Sequence, residues 1–372
     1  MRAGAAAVPR GGASRPGRAL LCVLALGVLL AGCATPVPKV MIFESASAAQ
    51  RKPIVWPAPP DIPRYAWAGQ LLGEVNFKAV GEKKVGVMDV LRWIVGLAFG
   101  DAPPVQVQRP QSGAVDAAGR IYVTDAGNAA VFVFDRVDGV LEVWNKAEGL
   151  ANFVSPVGIA LGPGGDILVA DSQLGFVTRL DAGGNPRRGI GRGVLKRPTG
   201  LAYDPLGKRI YVSDTAEHDI KVFDDDGRLL KSIGRRGEEK GEFNFPTHIA
   251  FARGELYVAD TLNSRIQVLS DEGAVVKRSF GALGTSVGNL VRPKGVAVDG
   301  EGNIYVVESY NDHLRVFNRG GELLLAIGGN GQDAGKFELP AGVWIDSGNR
   351  VFVADMFNAR VAIFQFIGGS EE

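Results

Sequence analysis

From residue 109 onward the chain repeats one arrangement of apolar and polar positions six times. Each unit opens on a proline followed by small and apolar residues: Pro110, Pro156, Pro198, Pro246, Pro293 and Pro340, at spacings of 46, 42, 48, 47 and 47. A glycine-containing turn then leads into an apolar, β-branched stretch that ends in an acid. These stretches are IYVTD to Asp125, ILVAD to Asp171, IYVSD to Asp214, LYVAD to Asp260, IYVVE to Glu308 and VFVAD to Asp355. Six residues after each acid an aliphatic residue opens a third strand: Val131, Val177, Ile220, Ile266, Leu314 and Val361. Most units then show an Asp/Gly turn and a fourth strand, as in LLKSIG (229–234), VVKRSFG (275–281) and LLLAIG (323–328). Short strands with turn residues between them, at a period of 40 to 50, predict blades of four antiparallel strands.

The sixth unit stops one strand short, because only GGSEE follows residues 361–367. A blade without its outer strand would expose a row of unpaired backbone groups. Tyr65–Gly73, YAWAGQLLG, has the fourth-strand pattern and is expected to pair with 361–367. The expected fold is all-β: a six-bladed β-propeller of four-stranded antiparallel blades, closed by an N-terminal strand, with one short helix before the first blade. The propeller domain is expected over 64–368. The helix is Gly86 to Phe99, GVMDVLRWIVGLAF, apolar almost all round except for Asp89 and Arg92. It is expected to pack on the face that carries the channel mouth. Two other roles stay open: docking of a partner or second copy through Trp93 and Ile94, or dipping into a bilayer interface.

The unit Pro246 to Phe280, with Tyr257-Val-Ala-Asp260-Thr-Leu-Asn263-Ser-Arg265-Ile266-Gln-Val, resembles the NHL repeat. The resemblance covers about 265 residues. It implies the propeller fold and says little about function.

The N-terminus reads differently. Arg2, Arg10, Arg15 and Arg18 precede the apolar run Ala19–Ala31, too short for an ordinary membrane span. The run ends in Leu30-Ala31-Gly32-Cys33, which resembles the bacterial lipobox, with small residues admitting a peptidase before the cysteine. That resemblance implies a signal peptide over 1–32 and acylation of Cys33, the lipid bilayer being the first partner. Ala34 is compatible with outer-membrane sorting, so the expected place is the bacterial cell envelope. Residues 33–63, rich in Pro, Ala and Ser, are read as a tether. Removing the four leader arginines from a chain of net charge +1 leaves about −3, which argues against nucleic-acid binding by bulk electrostatics. Cys22 and Cys33 are the only cysteines, so the body of the chain has no disulfide and no cysteine-ligated metal.

Candidate chemistry is sparse. The six strand-end acids either cap turns, helped by Asn128, Asn263, Asn311 and Asn358, or form a ring of carboxylates; a residue every blade needs points to capping. Two positions after each proline stand Gly113, Gly158, Gly200, His248, Gly295 and Gly342. His248 alone departs from glycine and places a titratable group near the mouth. Before the prolines of the first, third and fifth units stand Arg109, Arg197 and Arg292, either an anion-binding collar or three separate surface arginines. The NHL-type lyases imply a zinc site, which would require His218, His248 and His313 to converge. Lactonase-type propellers imply calcium held by inward carboxylates, which the inner strands here do not supply. No phosphate loop, nucleophile elbow or triad is present, and no cofactor or metal is indicated. The expected function is a binding module for a protein, peptide or glycan, with a metal-dependent lyase or lactonase at the channel mouth as the alternative.

Overall fold

The computed structural model describes residues 38–43, 53–80, 103–270, 275–284, 286 and 288–368. Residues 1–32, Cys33 and the 86–99 segment with Trp93 and Ile94 lie outside them.

Six of the eight antiparallel sheets formed by the described residues, each of four or five strands, are arranged around a ring. In each blade the second and third strands are buried on both faces, which explains why they read as continuous apolar runs; Ile121–Asp125 and Ala130–Asp135 of the first blade have no exposed residue. The innermost strands are Pro110–Val115, Pro156–Leu161, Pro198–Asp204, Pro246–Ala252, Pro293–Val298 and Pro340–Ile345. Each contacts the next around the ring, and the sixth contacts the first. Apolar clusters fill the spaces between sheets, as where Trp344 of blade six stacks on Phe352 at 5.5 Å beside Phe132 and Phe134 of blade one.

The ring closes as expected. Tyr65–Leu71 pairs antiparallel with Arg360–Phe366, with Leu71 opposite Val361 and Tyr65 opposite Phe366. The first and last strands of the domain are therefore neighbours in one blade. Tyr65 adds a link to blade five, its hydroxyl lying 2.9 Å from that of Tyr305.

The described parts of residues 33–63 pair with strands of the propeller and its flanking segment. Lys39–Met41 pairs with Phe77–Ala79, which places Met41 and Phe77 in the apolar core. Val55–Trp56 pairs with Tyr65 and Ala66 as a fifth strand of the closing blade, and the Trp56 ring meets Phe364 edge-on at 5.3 Å. The physical reason is apolar content: Met41 and Trp56 each have a hydrophobic surface to bury against, whatever the proline content around them.

Candidate functional site

In every blade the proline that opens the inner strand lies opposite the acid that ends the second strand, as in Pro246 opposite Asp260 and Pro340 opposite Asp355. The pre-proline residues and the turns after the acids therefore crowd one end of the ring. The acids are wholly buried and hold that end together. Asp171 accepts backbone N–H bonds from Val154, Ser155, Gln173 and Leu174 at 2.7 to 3.0 Å. Asp125 and Glu308 likewise accept from the residues before the proline and from their own turns. The acids are caps. Among the described residues no group of three or more His, Cys, Asp or Glu is placed to hold a metal ion.

The funnel at this end has a volume of about 410 Å³. Arg109 and Arg197 line it, and so does His248, but the third expected arginine does not. Arg292 instead lies over the ring of Tyr310, 5.9 Å from its centroid. The third cation of the funnel is Lys294, one residue after the proline of blade five. Among the described residues no carboxylate lines the funnel. Burial lowers the Lys294 ammonium from 10.5 to about 8, with no acid near enough to oppose it. The hydroxyls of the wall are already committed: Thr215 donates to the Pro246 carbonyl at 2.7 Å, Thr261 to that of Pro293 at 2.8 Å, and Thr247 to that of Lys294 at 2.8 Å.

His248 forms the floor. Glycine is required at four of its five counterparts because the next blade's backbone comes too close, and at Gly113 because the Trp344 ring does: a Cβ on Gly200 would stand 2.3 Å from the Thr247 carbonyl oxygen, and one on Gly342 2.4 Å from that of Gln111. At blade four the side chain fits and lies almost wholly buried. Its Nδ1 donates to the Lys294 carbonyl at 2.9 Å, which leaves Nε2 as the unprotonated nitrogen, and Nε2 has no hydrogen-bond partner. Burial first, and the Lys294 ammonium second, push its pKa down to about 4, against the pull of the Lys294 and Gln111 carbonyls. Gln111 belongs to blade one, across the ring from blade four, so the imidazole reaches over the ring axis. Below it lies a second chamber of about 260 Å³ with mostly apolar walls, including Ile159, Leu201, Phe251 and Trp344. His248 lines both spaces.

The remaining histidines do not join it. His218 sits in a turn four residues after Asp214, and its Nδ1 accepts the Phe245 N–H at 3.2 Å. Asp312, four residues after Glu308, accepts the Leu339 N–H at 2.7 Å in the same way. Phe245 and Leu339 are pre-proline residues with φ of 52° and 48°. Bulky side chains strongly resist that conformation, at a cost on the order of 1–3 kcal/mol each. Both are exposed at the rim, by 37% and 40%. With them stand Leu262, Tyr310 and Phe357, each two residues after its strand-end acid and about half exposed. The equivalent turn positions in blades one to three are Gly127, Gln173 and Ala216. The rim is thus divided, with an apolar crescent on blades four to six and small or cationic residues on blades one to three.

The geometry defines a class: a closed six-bladed β-propeller with a concave open end. Residues 290–317 match the NHL repeat model, and residues 204–274 match the family model described as a 6-bladed beta-propeller. The chain is a six-bladed β-propeller, one stretch of which matches the NHL repeat. Protein brain tumor of Drosophila melanogaster is 30% identical over 142 residues, which are 38% of this chain and 13% of the fly protein. Among solved structures, an inactive virginiamycin B lyase from Staphylococcus aureus with quinupristin is 13% identical, with a TM-score of 0.52 over 70% of this chain and 95% of that one. A gluconolactonase from Xanthomonas campestris is 19% identical, with a TM-score of 0.55 over 70% and 86%. An auxiliary nutrient binding protein from Bacteroides ovatus is 15% identical, with a TM-score of 0.54 over 69% of each chain. At these identities the solved structures share the fold alone.

Sequence reasoning missed Lys294 and the crescent. One position after the prolines the residues are Gln111, Val157, Thr199, Thr247, Lys294 and Ala341, and the lone lysine in that column was the available signal. The shift from Gly, Gln and Ala to Leu, Tyr and Phe after the acids was equally readable.

Proposed function

We propose that the protein is a non-enzymatic binding module of the bacterial cell envelope. It is anchored by acylation of Cys33 and presents the funnel end of its propeller to a protein, peptide or glycan. One observation carries the binding reading: the funnel gathers cations with no ion-pair partner among the described residues, and exposed apolar side chains, at one end, while the strand-end carboxylates are spent as caps and the wall hydroxyls on neighbouring carbonyls. A surface built that way recognises a partner and lacks a paired acid and base for turnover.

The anchor and the face are tested separately. Cys33→Ala should release the protein from washed membranes into the soluble fraction; retention in detergent-free membranes overturns the anchor. A photo-crosslinking amino acid in place of Phe357, at the funnel end, should trap a partner in native envelopes. The same group at Leu206, in the turn at the opposite end and 95% exposed, should not. Equal trapping at both ends overturns the binding face. Stoichiometric zinc or calcium in purified protein, lost in His248→Ala, would replace this reading with a metal-dependent lyase or lactonase.

A further inference from the structure

We infer that the funnel end docks a segment of a partner protein in which an acidic group, a side-chain carboxylate or a C-terminus, is flanked by large apolar side chains. The acid enters the funnel toward Lys294, between Arg109 and Arg197, and the apolar side chains lie on the crescent of Phe245, Leu262, Tyr310, Leu339 and Phe357. This rests on the reading of the funnel end as the binding face and narrows it to one ligand chemistry.

Three observations lead there. The first is charge without a counter-charge. Arg109, Arg197 and Lys294 line one cavity that no carboxylate among the described residues lines, and no ion pair joins any of them to a described residue. Lys294 is the telling member, because an ammonium drawn out of bulk water without a partner destabilises the fold unless something supplies the missing negative charge. Arginines at the lip and a lysine at depth also suit stepwise capture, the exposed pair steering an anion inward.

The second is the asymmetry of the rim. Exposed apolar residues scattered singly need no explanation, but these five share one end of the ring and three consecutive blades. Aromatic and large aliphatic side chains beside arginine form the centre of protein interfaces. Met356 lines the funnel between the two halves and offers an adaptable apolar contact. Leucine at two of the five positions favours apolar protein side chains over the flat stacking faces that sugars use.

The third is strain. Phe245 and Leu339 hold a left-handed backbone that glycine would adopt freely, and His218 and Asp312 are placed to fix it. The Phe245 ring meets the His218 ring edge-on at 4.5 Å, yet both residues remain more than a third exposed, so the strained conformation gains little core packing in return. It is accounted for when a partner covers them.

The charge and the crescent belong together because one partner segment must satisfy both. A purely anionic ligand would leave the crescent wet, and a purely apolar one would bury Lys294 still further without a counter-ion.

The test uses the intact protein and a random dodecapeptide display library. Selection should enrich peptides in which Asp, Glu or a free C-terminus is flanked by Leu, Phe, Tyr or Trp. A synthetic enriched peptide should bind at least tenfold more weakly when its acid is made neutral as the amide. Binding should fall at least tenfold in Lys294→Met, and severalfold in Leu262→Ser and in Phe357→Ser, which sit at the surface and leave the core untouched. Lys208→Met, in the exposed turn at the opposite end of the ring, should bind as the parent does. Enrichment of peptides without an acid, unchanged affinity in Lys294→Met, or no enriched peptide at all overturns the inference. So does self-association of the protein that is lost in Phe357→Ser, which would make a second copy the occupant. If the crosslinker at Phe357 still traps a partner while Lys294→Met leaves the trapping unchanged, the binding face stands and only the acidic chemistry fails.

Discussion

Lys294→Met should make the protein more stable, and the size of the gain follows from the site. In the folded chain burial brings the Lys294 ammonium from 10.5 to about 8. At about 1.36 kcal/mol per pH unit, keeping it charged at neutral pH costs roughly 3 kcal/mol. Water reaches the funnel from its open end, so solvent screening reduces this to about 1–3 kcal/mol. Methionine keeps an unbranched stem in the same space and removes the charge. The pH dependence is distinctive. Below pH 8 the lysine is charged in both the folded and unfolded chains and the full penalty applies. Between 8 and 10.5 the folded protein loses its proton first, so the parent gains stability with rising pH and the advantage of the variant shrinks. Above 10.5 the two should converge. Urea unfolding at pH 7 and pH 10.5 measures both, and at pH 7 the melting temperature should rise by a few degrees. A variant that is less stable at pH 7, or whose advantage does not change with pH, would show that Lys294 is not an uncompensated buried charge. A gain in stability joined to a loss of ligand would mark a residue kept for binding at the expense of the fold.

Other consequences are as direct. Asp171→Ala strands four backbone N–H groups and should cost about 2–4 kcal/mol by urea unfolding, with no dependence on added chelator. Burial pushes the Glu255 carboxyl up, but its bonds to Arg278 and Tyr257 prevail and bring it down to about 2. Its stabilisation is therefore complete above pH 4.5 and lost as pH falls toward 2, and Glu255→Gln should flatten that part of the acid-unfolding curve. Deleting residues 60–75 removes the outer strand paired with Arg360–Phe366 and should collapse the thermal transition; an unchanged melting temperature would refute non-covalent closure.

The tandem pattern alone was enough for the blades, their number and the closing strand. Strand pairs form within a unit of about 47 residues, so each repeat carries its own turn signals and its own two-sided apolar strands. The missing outer strand at Val361–Ile367 was visible as a deficit, and Tyr65–Gly73 was the segment that fitted it. The capping role of the acids was legible for the same reason, since a residue every blade needs serves the blade. The funnel was not legible in this way, because it is assembled from one or two residues of each blade separated by some 47 positions. Arg292 and Lys294 flank the same proline, yet the arginine turns out to Tyr310 and the lysine turns in. Only the closed ring decides which side of each inner strand meets its neighbours and which meets the axis. That is also why His248, one residue in a column of glycines, could be recognised as an exception along the chain, while its position across the axis between two chambers belongs to the tertiary structure alone.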